Sequence, residues 1–313
     1  MDRTPPLRLI PVGGRGPEDV VTDASGRVFT GLADGRILRL EGVTDPAGPR
    51  IETVADTRGR PLGLQPLPDG ALLVCDAERG LLRCETDGTV RVLADTVAGA
   101  RLRFCSNVVT ADDTTVYFTV SSRRYGLEHW QGDLLEHTGT GMLLRLRPGG
   151  EPEVLLDGLQ FANGVALAAD QSFLVVAETG ARRLVRHGLT GDAEPRGTFA
   201  DDLPGYPDNL WRDPDGLIWV ALAGPRVPVL DVLHRRGPAL RRAAGRAATR
   251  LPFRPVRDAW VMAFDDDGRI VHDVRHRRAP YRMSTSVCPV DGQLVLGSVW
   301  EPSLAVFASP AAR

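Results

Sequence analysis

Five oxygen-bearing side chains recur at one offset within a repeating pattern, and together they could hold a hard cation. Counting back seven to nine positions from a recurrent turn glycine, or its equivalent, gives Glu18, Asn107, Asn163, and Asp208 with Asn209; the matching places elsewhere are Leu62 or Gly63 and Ser284 or Thr285. Two carboxylates with amide carbonyls, and neither thiolate nor imidazole, form an all-oxygen set that suits Ca²⁺ best, is compatible with Mg²⁺ or Mn²⁺, and suits Zn²⁺ less. Carboxylates facing one another away from water are costly, and a cation removes that cost. Asp and Asn also bond strand-end amides or trapped water at turns, so on spacing alone both readings stand.

Such residues need a scaffold that repeats. A turn rich in Asp and Gly, a short alternating apolar strand, a second tight turn and another apolar strand recur six times: 25–40, 69–84, 112–122 with 141–150, 170–187, 215–222 with 259–268, and 291–307. Most copies lie about 45 residues apart, the length of a four-stranded propeller blade, with no long amphipathic helix between them. The expected fold is all-β: a six-bladed β-propeller in a single domain over 1–313, its edges protected by closing the first blade on the last. A two-sheet sandwich gives no reason for a fixed period.

The stretch "FANGVALAAD" (161–170) makes the problem local. It reads as a buried strand, yet it opens with Asn163 beside a glycine. In a propeller the innermost strand of each blade starts near the axis, so Asn163 is expected to point at something polar there.

Composition excludes several chemistries. The net charge is −2 and all 38 basic residues are arginine, since the chain has no lysine. That removes Schiff-base, pyridoxal phosphate and phosphate-loop lysine mechanisms, and the balance gives no field that would draw nucleic acid or an anionic membrane. Cys75, Cys84, Cys105 and Cys288 lack CxxC spacing and read as free core thiols of a reduced compartment. Neither a signal peptide nor a run of roughly 20 apolar residues is present, so a cytoplasmic protein without a membrane span is expected.

Two insertions stretch the repeat, at 123–140 and 224–258. The first supplies Tyr125, His129 and Trp130, candidates for lining a substrate pocket. Residues 235–257 carry eight arginines interleaved with alanines. With aromatic stacking residues nearly absent, they read as a solvated helix laid over one end of the ring as a lid.

Several motifs carry a resemblance. "GRPLGL" (59–64), "YFTVSSRRY" (117–125), the run 155–187, "LPGYPDNLWRDPDGLIWVAL" (203–222) and "LVLGSVWEPSLAVF" (294–307) closely resemble the strictosidine synthase-like family of six-bladed propellers, and 16–37 extends the likeness to the first blade. The wider superfamily includes the paraoxonases and the gluconolactonase and regucalcin group, metal-dependent hydrolases of lactones and esters. The resemblance implies one divalent cation held by Glu18, Asn107, Asn163 and Asp208, with Asn209 as the neighbouring amide. Asp208 would be the base that deprotonates water, alongside Glu18.

Departures narrow the expectation. A second, structural calcium would need an aspartate where this chain has Val108, although Asp19 is kept. The paraoxonase histidine base is replaced by Leu62-Gly63. The glutamate of true strictosidine synthase is replaced by Thr285, beside Ser284 and Ser286, and a hydroxyl cannot serve as that general base. The expected function is therefore metal-dependent hydrolysis of a small-molecule lactone or ester, with Thr285 facing substrate. A different bond-forming cyclisation, or a non-catalytic propeller tied by its ion, are the alternatives.

Overall fold

The computed structural model describes residues 6–112, 114–190, 196–248 and 253–310. Among them, six four-stranded antiparallel sheets follow one another along the chain, with a two-stranded ribbon at 96–101. Each sheet is a blade, and the six form the expected propeller. The inner strands are Val21–Thr22, Pro61–Pro66, Cys105–Thr110, Ala162–Leu167, Gly205–Arg212 and Ser284–Val290. The repeats read from sequence are the second and third strands of each blade, where one face must alternate against a neighbour. Closure is by the chain's first strand: Arg8–Pro11 pairs antiparallel with Ser303–Ala308 as the outermost strand of blade 6.

What binds the ring is burial between blades. Every neighbouring pair shares an apolar cluster, such as Leu73, Cys75 and Leu81 of blade 2 against Val116, Phe118 and Leu144 of blade 3. Fully burying one such Val, Leu or Phe contributes about 1.5–3 kcal/mol. The four cysteines are free thiols in this core. Trp219 and Tyr281 are fully buried with their polar ends satisfied, by the Asp213 carboxylate and by the Leu296 and Ser303 carbonyls.

Five of the six inner strands depart from regular pairing near their starts. In blades 2 to 6 the register shifts within 61–64, 105–108, 162–165, 205–210 and 284–286. Each irregularity spans the residues singled out by spacing: Leu62-Gly63, Asn107, Asn163, Asp208-Asn209 and Thr285. A bulge leaves residues unpaired and re-aims their side chains, which is how a core strand can open with an amide. Just before three of these strands, Phe104, Phe161 and Met283 adopt left-handed backbone (φ 55°, 60° and 48°). That conformation costs a bulky residue on the order of 1 kcal/mol or more. At blades 3 and 4 it brings the Phe104 and Phe161 rings edge to face, with centroids 5.4 Å apart.

Both insertions join second to third strands, in blades 3 and 5, and they meet as a lid. The first contains helix α1 (Trp130–Glu136); the second contains α2 (Pro228–His234) and α3 (Pro238–Ala248). Ser122 and Thr138 hydroxyls donate to the buried Asp133 carboxylate, anchoring α1 (2.5 and 2.6 Å). The His137 and His234 rings stack at 4.0 Å, with His234 Nε2 2.7 Å from the Leu134 carbonyl, and Trp130 meets Phe253 edge-on at 5.1 Å. Beneath them Leu134 joins Leu62, Ala77, Phe104 and Phe161 in an apolar cluster over the starts of the inner strands. No helix among the described residues is long and apolar enough to cross a membrane.

The glycine after Asn163 is needed for close approach. A Cβ built on Gly164 would fall 2.6 Å from the Asp208 carbonyl oxygen, and one on Gly63 2.6 Å from that of Ser106. Gly164→Ala should therefore destabilise the protein by about 1–3 kcal/mol, as overpacking between two backbones does. Gly237→Ala, with nothing within 4 Å, is the control and should stay within about 0.5 kcal/mol. Urea unfolding measures both; equal midpoints would contradict the close packing of blades 4 and 5.

Candidate functional site

Around the axis, polar side chains tie each blade to the next. The Asp19 carboxylate accepts from Val20 N–H (2.9 Å), from Leu64 N–H of blade 2 (2.8 Å) and from Ser286 Oγ of blade 6 (2.5 Å). Thr285 Oγ1 donates to the Glu18 carbonyl (2.6 Å). Asn107 Oδ1 accepts from Val165 N–H of blade 4 (3.1 Å), and Thr119 Oγ1 donates to the Asn163 carbonyl (2.5 Å). Asn163 accepts from Ser106 Oγ (2.9 Å) and donates to Thr179 Oγ1 (3.2 Å), which donates in turn to the Pro207 carbonyl of blade 5 (2.6 Å).

Inside this seam lie two carboxylates that the seam does not neutralise. Glu18 precedes the inner strand of blade 1 and accepts from Asn209 Nδ2 of blade 5 at 3.1 and 3.3 Å. Asp208, also of blade 5, lies near enough to the Asn163 amide for that group to favour its charged form. Both are over nine-tenths buried, at 5% and 7% exposed. Burial pushes the Glu18 carboxyl well above its usual range, and the charges of Asp208 and Asp19 push it further, opposed by Arg60 and by the Asn209 bond. Asp208 is likewise raised well above its usual range, chiefly by burial. Asp19 is raised to about 6 by burial, against the bonds from Ser286, Leu64 and Val20. Arg60 donates to the Gly16 carbonyl at 3.0 Å and forms no ion pair with Glu18.

One further atom lacks a partner: Asn209 Oδ1 is buried and unbonded, one residue from Asp208 and on the same amide that touches Glu18. Among the described residues no three His, Cys, Asp or Glu side chains group to hold a metal, so a cation here would have to draw on amide oxygens as well as carboxylates. The donors fit a hard ion. Glu18, Asp208 and Asn209 form the centre with Asn163, whose side-chain amide oxygen accepts from Ser106 Oγ. Asn107, the remaining expected ligand, also accepts across blades, from the Val165 N–H.

The four side chains expected to meet substrate have different places. Thr285 is buried against the Glu18 backbone and acts by fixing that residue. Trp130 packs on the lid's apolar cluster. Tyr125 donates its hydroxyl to Glu136 at 2.6 Å, within the lid. His129 is exposed, its ring 3.0 Å from the neighbouring Glu128 carbonyl. Sequence reasoning missed Arg60, Ser106, Thr119, Thr179 and the Ser286 contact to Asp19. Only Ser106 carried a signal, as the neighbour of Asn107 on a bulge.

Residues 107–192 match the family model described as strictosidine synthase, and 6–40 that of the strictosidine synthase-like N-terminal region. Strictosidine synthase-like protein 6 of Arabidopsis thaliana is 34% identical, over 91% of this chain and 76% of its own length. Adipocyte plasma membrane-associated protein of Danio rerio is also 34% identical, over 92% and 74%. In fold, a gluconolactonase of Xanthomonas campestris superposes with a TM-score of 0.69 at 19% identity, covering 97% of this chain and 89% of that one. Regucalcin of Agrobacterium tumefaciens, a calcium-binding protein, gives 0.64 at 14%, over 95% and 94%. A likeness in sequence that runs through nearly the whole chain, on a propeller with its polar centre at the starts of the inner strands, places this protein in the strictosidine synthase-like family.

Proposed function

We propose that the protein is a divalent-cation-dependent hydrolase of a small ester or lactone, with Ca²⁺ the preferred ion. The observation that carries this reading is the pair of buried carboxylates, Glu18 and Asp208, brought together from blades 1 and 5 with amides but no ion-paired arginine, beside the unpartnered Asn209 Oδ1. Leaving two such groups charged and unpaired costs several kcal/mol, which a fold without a use for them would avoid. Glu18, Asn163, Asp208 and Asn209 would hold the ion, with Asn107 joining if its amide turned from Val165 N–H. When bound, the cation supplies Lewis-acid polarisation of the substrate carbonyl and stabilises the charge that develops on its oxygen.

The chain's own residues supply the remainder. Asp208, oriented by the Asn163 amide, takes the proton from the attacking water as the water oxygen bonds to the acyl carbon. When the acyl C–O bond breaks, that proton passes to the leaving alkoxide, so the ester or lactone opens to an acid and an alcohol. Thr285 and Asn209 keep Glu18 facing the centre. Phe104, Phe161 and Leu134 exclude bulk water, which strengthens every electrostatic interaction beneath them. The absence of a carboxylate at Thr285 favours hydrolysis over the amine–aldehyde condensation of strictosidine synthase itself.

Chelated protein assayed on a panel of lactones and aryl esters, then reloaded with Ca²⁺, Mg²⁺, Mn²⁺ or Zn²⁺, tests the reading. Activity should return with one of these ions, and Asp208→Asn should lower kcat on the order of 10²-fold or more. Turnover that survives both chelation and this substitution contradicts it.

The buried carboxylates also set a pH dependence. Asp19 binds its proton more tightly folded, at about 6 against 3.8 for the free side chain, and Glu18 and Asp208 are shifted the same way. These three carboxylates therefore contribute stability to the chelated protein that is fully present near pH 4 and is lost as pH rises through 6, because the folded state holds protons that the unfolded state releases; His137, His234 and His276, lowered by burial, act in the opposite sense. Saturating Ca²⁺ should flatten that fall. Thermal melts from pH 4 to 8 with and without Ca²⁺ measure it, the histidine contribution cancelling in the difference; a Ca²⁺-induced rise in Tm that does not grow with pH would show the carboxylates are not desolvated together.

A further inference from the structure

A cleft of about 440 Å³ opens beside the lid, between the blade 1 and blade 2 loops and the 126–128 segment of the first insertion. Its apolar walls include Ala77 and Leu127, both part of the cluster over the inner-strand starts. Three guanidinium groups line it: Arg60, Arg101 and Arg103. Other arginines on the lid side pair with carboxylates, as Arg124 does with Glu136 and Arg182 with Asp202, although among the described residues not all of them do, Arg241 being an exception. The three in the cleft enter no ion pair among the described residues. Arg60 and Arg101 donate only to backbone carbonyls, of Gly16 and Glu78, each at 3.0 Å. Arg103 has no partner among the described residues. Glu78 and Glu128 share the lining and leave one net positive charge.

Arg60 links the cleft to the axis. It is 6% exposed, its guanidinium sits on the Gly16 carbonyl two residues before Glu18, and it is close enough to Glu18 to interact with its charge. A guanidinium offers a planar fork of donors that matches a carboxylate, and partners of this kind stay charged at every working pH. Apolar walls beside such a fork suit a short carbon chain.

Resting on the hydrolase reading above, we infer that this cleft seats the carboxylate of an anionic substrate: a small ester or lactone bearing an acid group on a short aliphatic arm, its reacting bond at the Glu18–Asp208 centre. Arg103 and Arg101 are the specificity determinants, and Arg60 the fixed charge between cleft and centre.

The test separates binding from turnover. Glutarate serves as the probe in equilibrium titration of the cation-loaded protein. Its binding should weaken with salt and fall by about 10-fold or more in Arg103→Gln or Arg101→Gln, the usual effect of losing a charge-assisted hydrogen bond. Arg91→Gln, on the exposed face of blade 2, should bind as the wild type does. Kinetically, KM for the 4-nitrophenyl monoester of glutarate should rise by a similar factor in the two cleft variants, with KM for 4-nitrophenyl acetate unchanged. Glutarate that does not bind the wild type, or binds both variants equally well, overturns the proposal, as do equal effects on charged and neutral esters. Arginine-dependent glutarate binding in a protein that hydrolyses no ester would uphold the cleft and reject the hydrolase reading.

Discussion

Two carboxylates held near each other out of water are the constraint around which this ring is arranged. A propeller can close its axis with apolar side chains alone, as Leu62 does for blade 2. Here blades 1 and 5 instead present Glu18 and Asp208, both over nine-tenths buried. The surrounding polar groups are largely satisfied by neighbouring blades, which sharpens the contrast. Asp19 accepts two backbone N–H groups and a serine, and behaves as a strap. Glu18 accepts only from one amide, whose own oxygen is left without a partner. On the proposed reading, the difference between these adjacent acids separates a structural carboxylate from one that would hold the ion.

The backbone makes that placement achievable. Regular strands would alternate Asn163 and Asp208 into interblade clusters, where an unpaired polar group costs about 1–3 kcal/mol. The bulges in blades 2 to 6 turn them toward the axis instead. Gly164 and Gly63 then let successive strands approach closely enough for side chains to bridge blades. Left-handed Phe104 and Phe161 lower two rings over the same centre, so strain in the backbone and exclusion of water arise at one level of the molecule.

Much of this was legible in the sequence because it is periodic. The strand repeats and their turns identified six blades, and the amide opening the strand at Asn163 pointed to the axis. Spacing singled out Glu18, Asn107, Asn163, Asp208 and Asn209, since residues at one offset in a ring are expected to face inward. What it could not supply was the direction of each oxygen. Asn107 and Asn163 look equivalent along the chain, but one amide oxygen accepts from a backbone N–H, that of Val165, and the other from a side chain, Ser106 Oγ. Thr285 was expected to face substrate, but its hydroxyl is consumed by the Glu18 carbonyl across the ring closure, a contact between residues at opposite ends of the chain. Tyr125 and His129 illustrate a different limit. Loops have no period, so nothing in the first insertion distinguished Trp130, which packs inward, from His129, which is exposed. Arg60, Arg101 and Arg103 are three among 38 arginines, and only folding brings them to one cleft.

The most direct measurement is the position of the ion itself. Long-wavelength anomalous diffraction from crystals grown with Ca²⁺ should give a peak within bonding distance of Glu18, Asp208 and at least one of Asn163 and Asn209, with the Asn209 amide oxygen turned inward. A map with no peak at the axis, and Glu18 and Asp208 joined by a shared proton or bonded only to amides, would contradict the account.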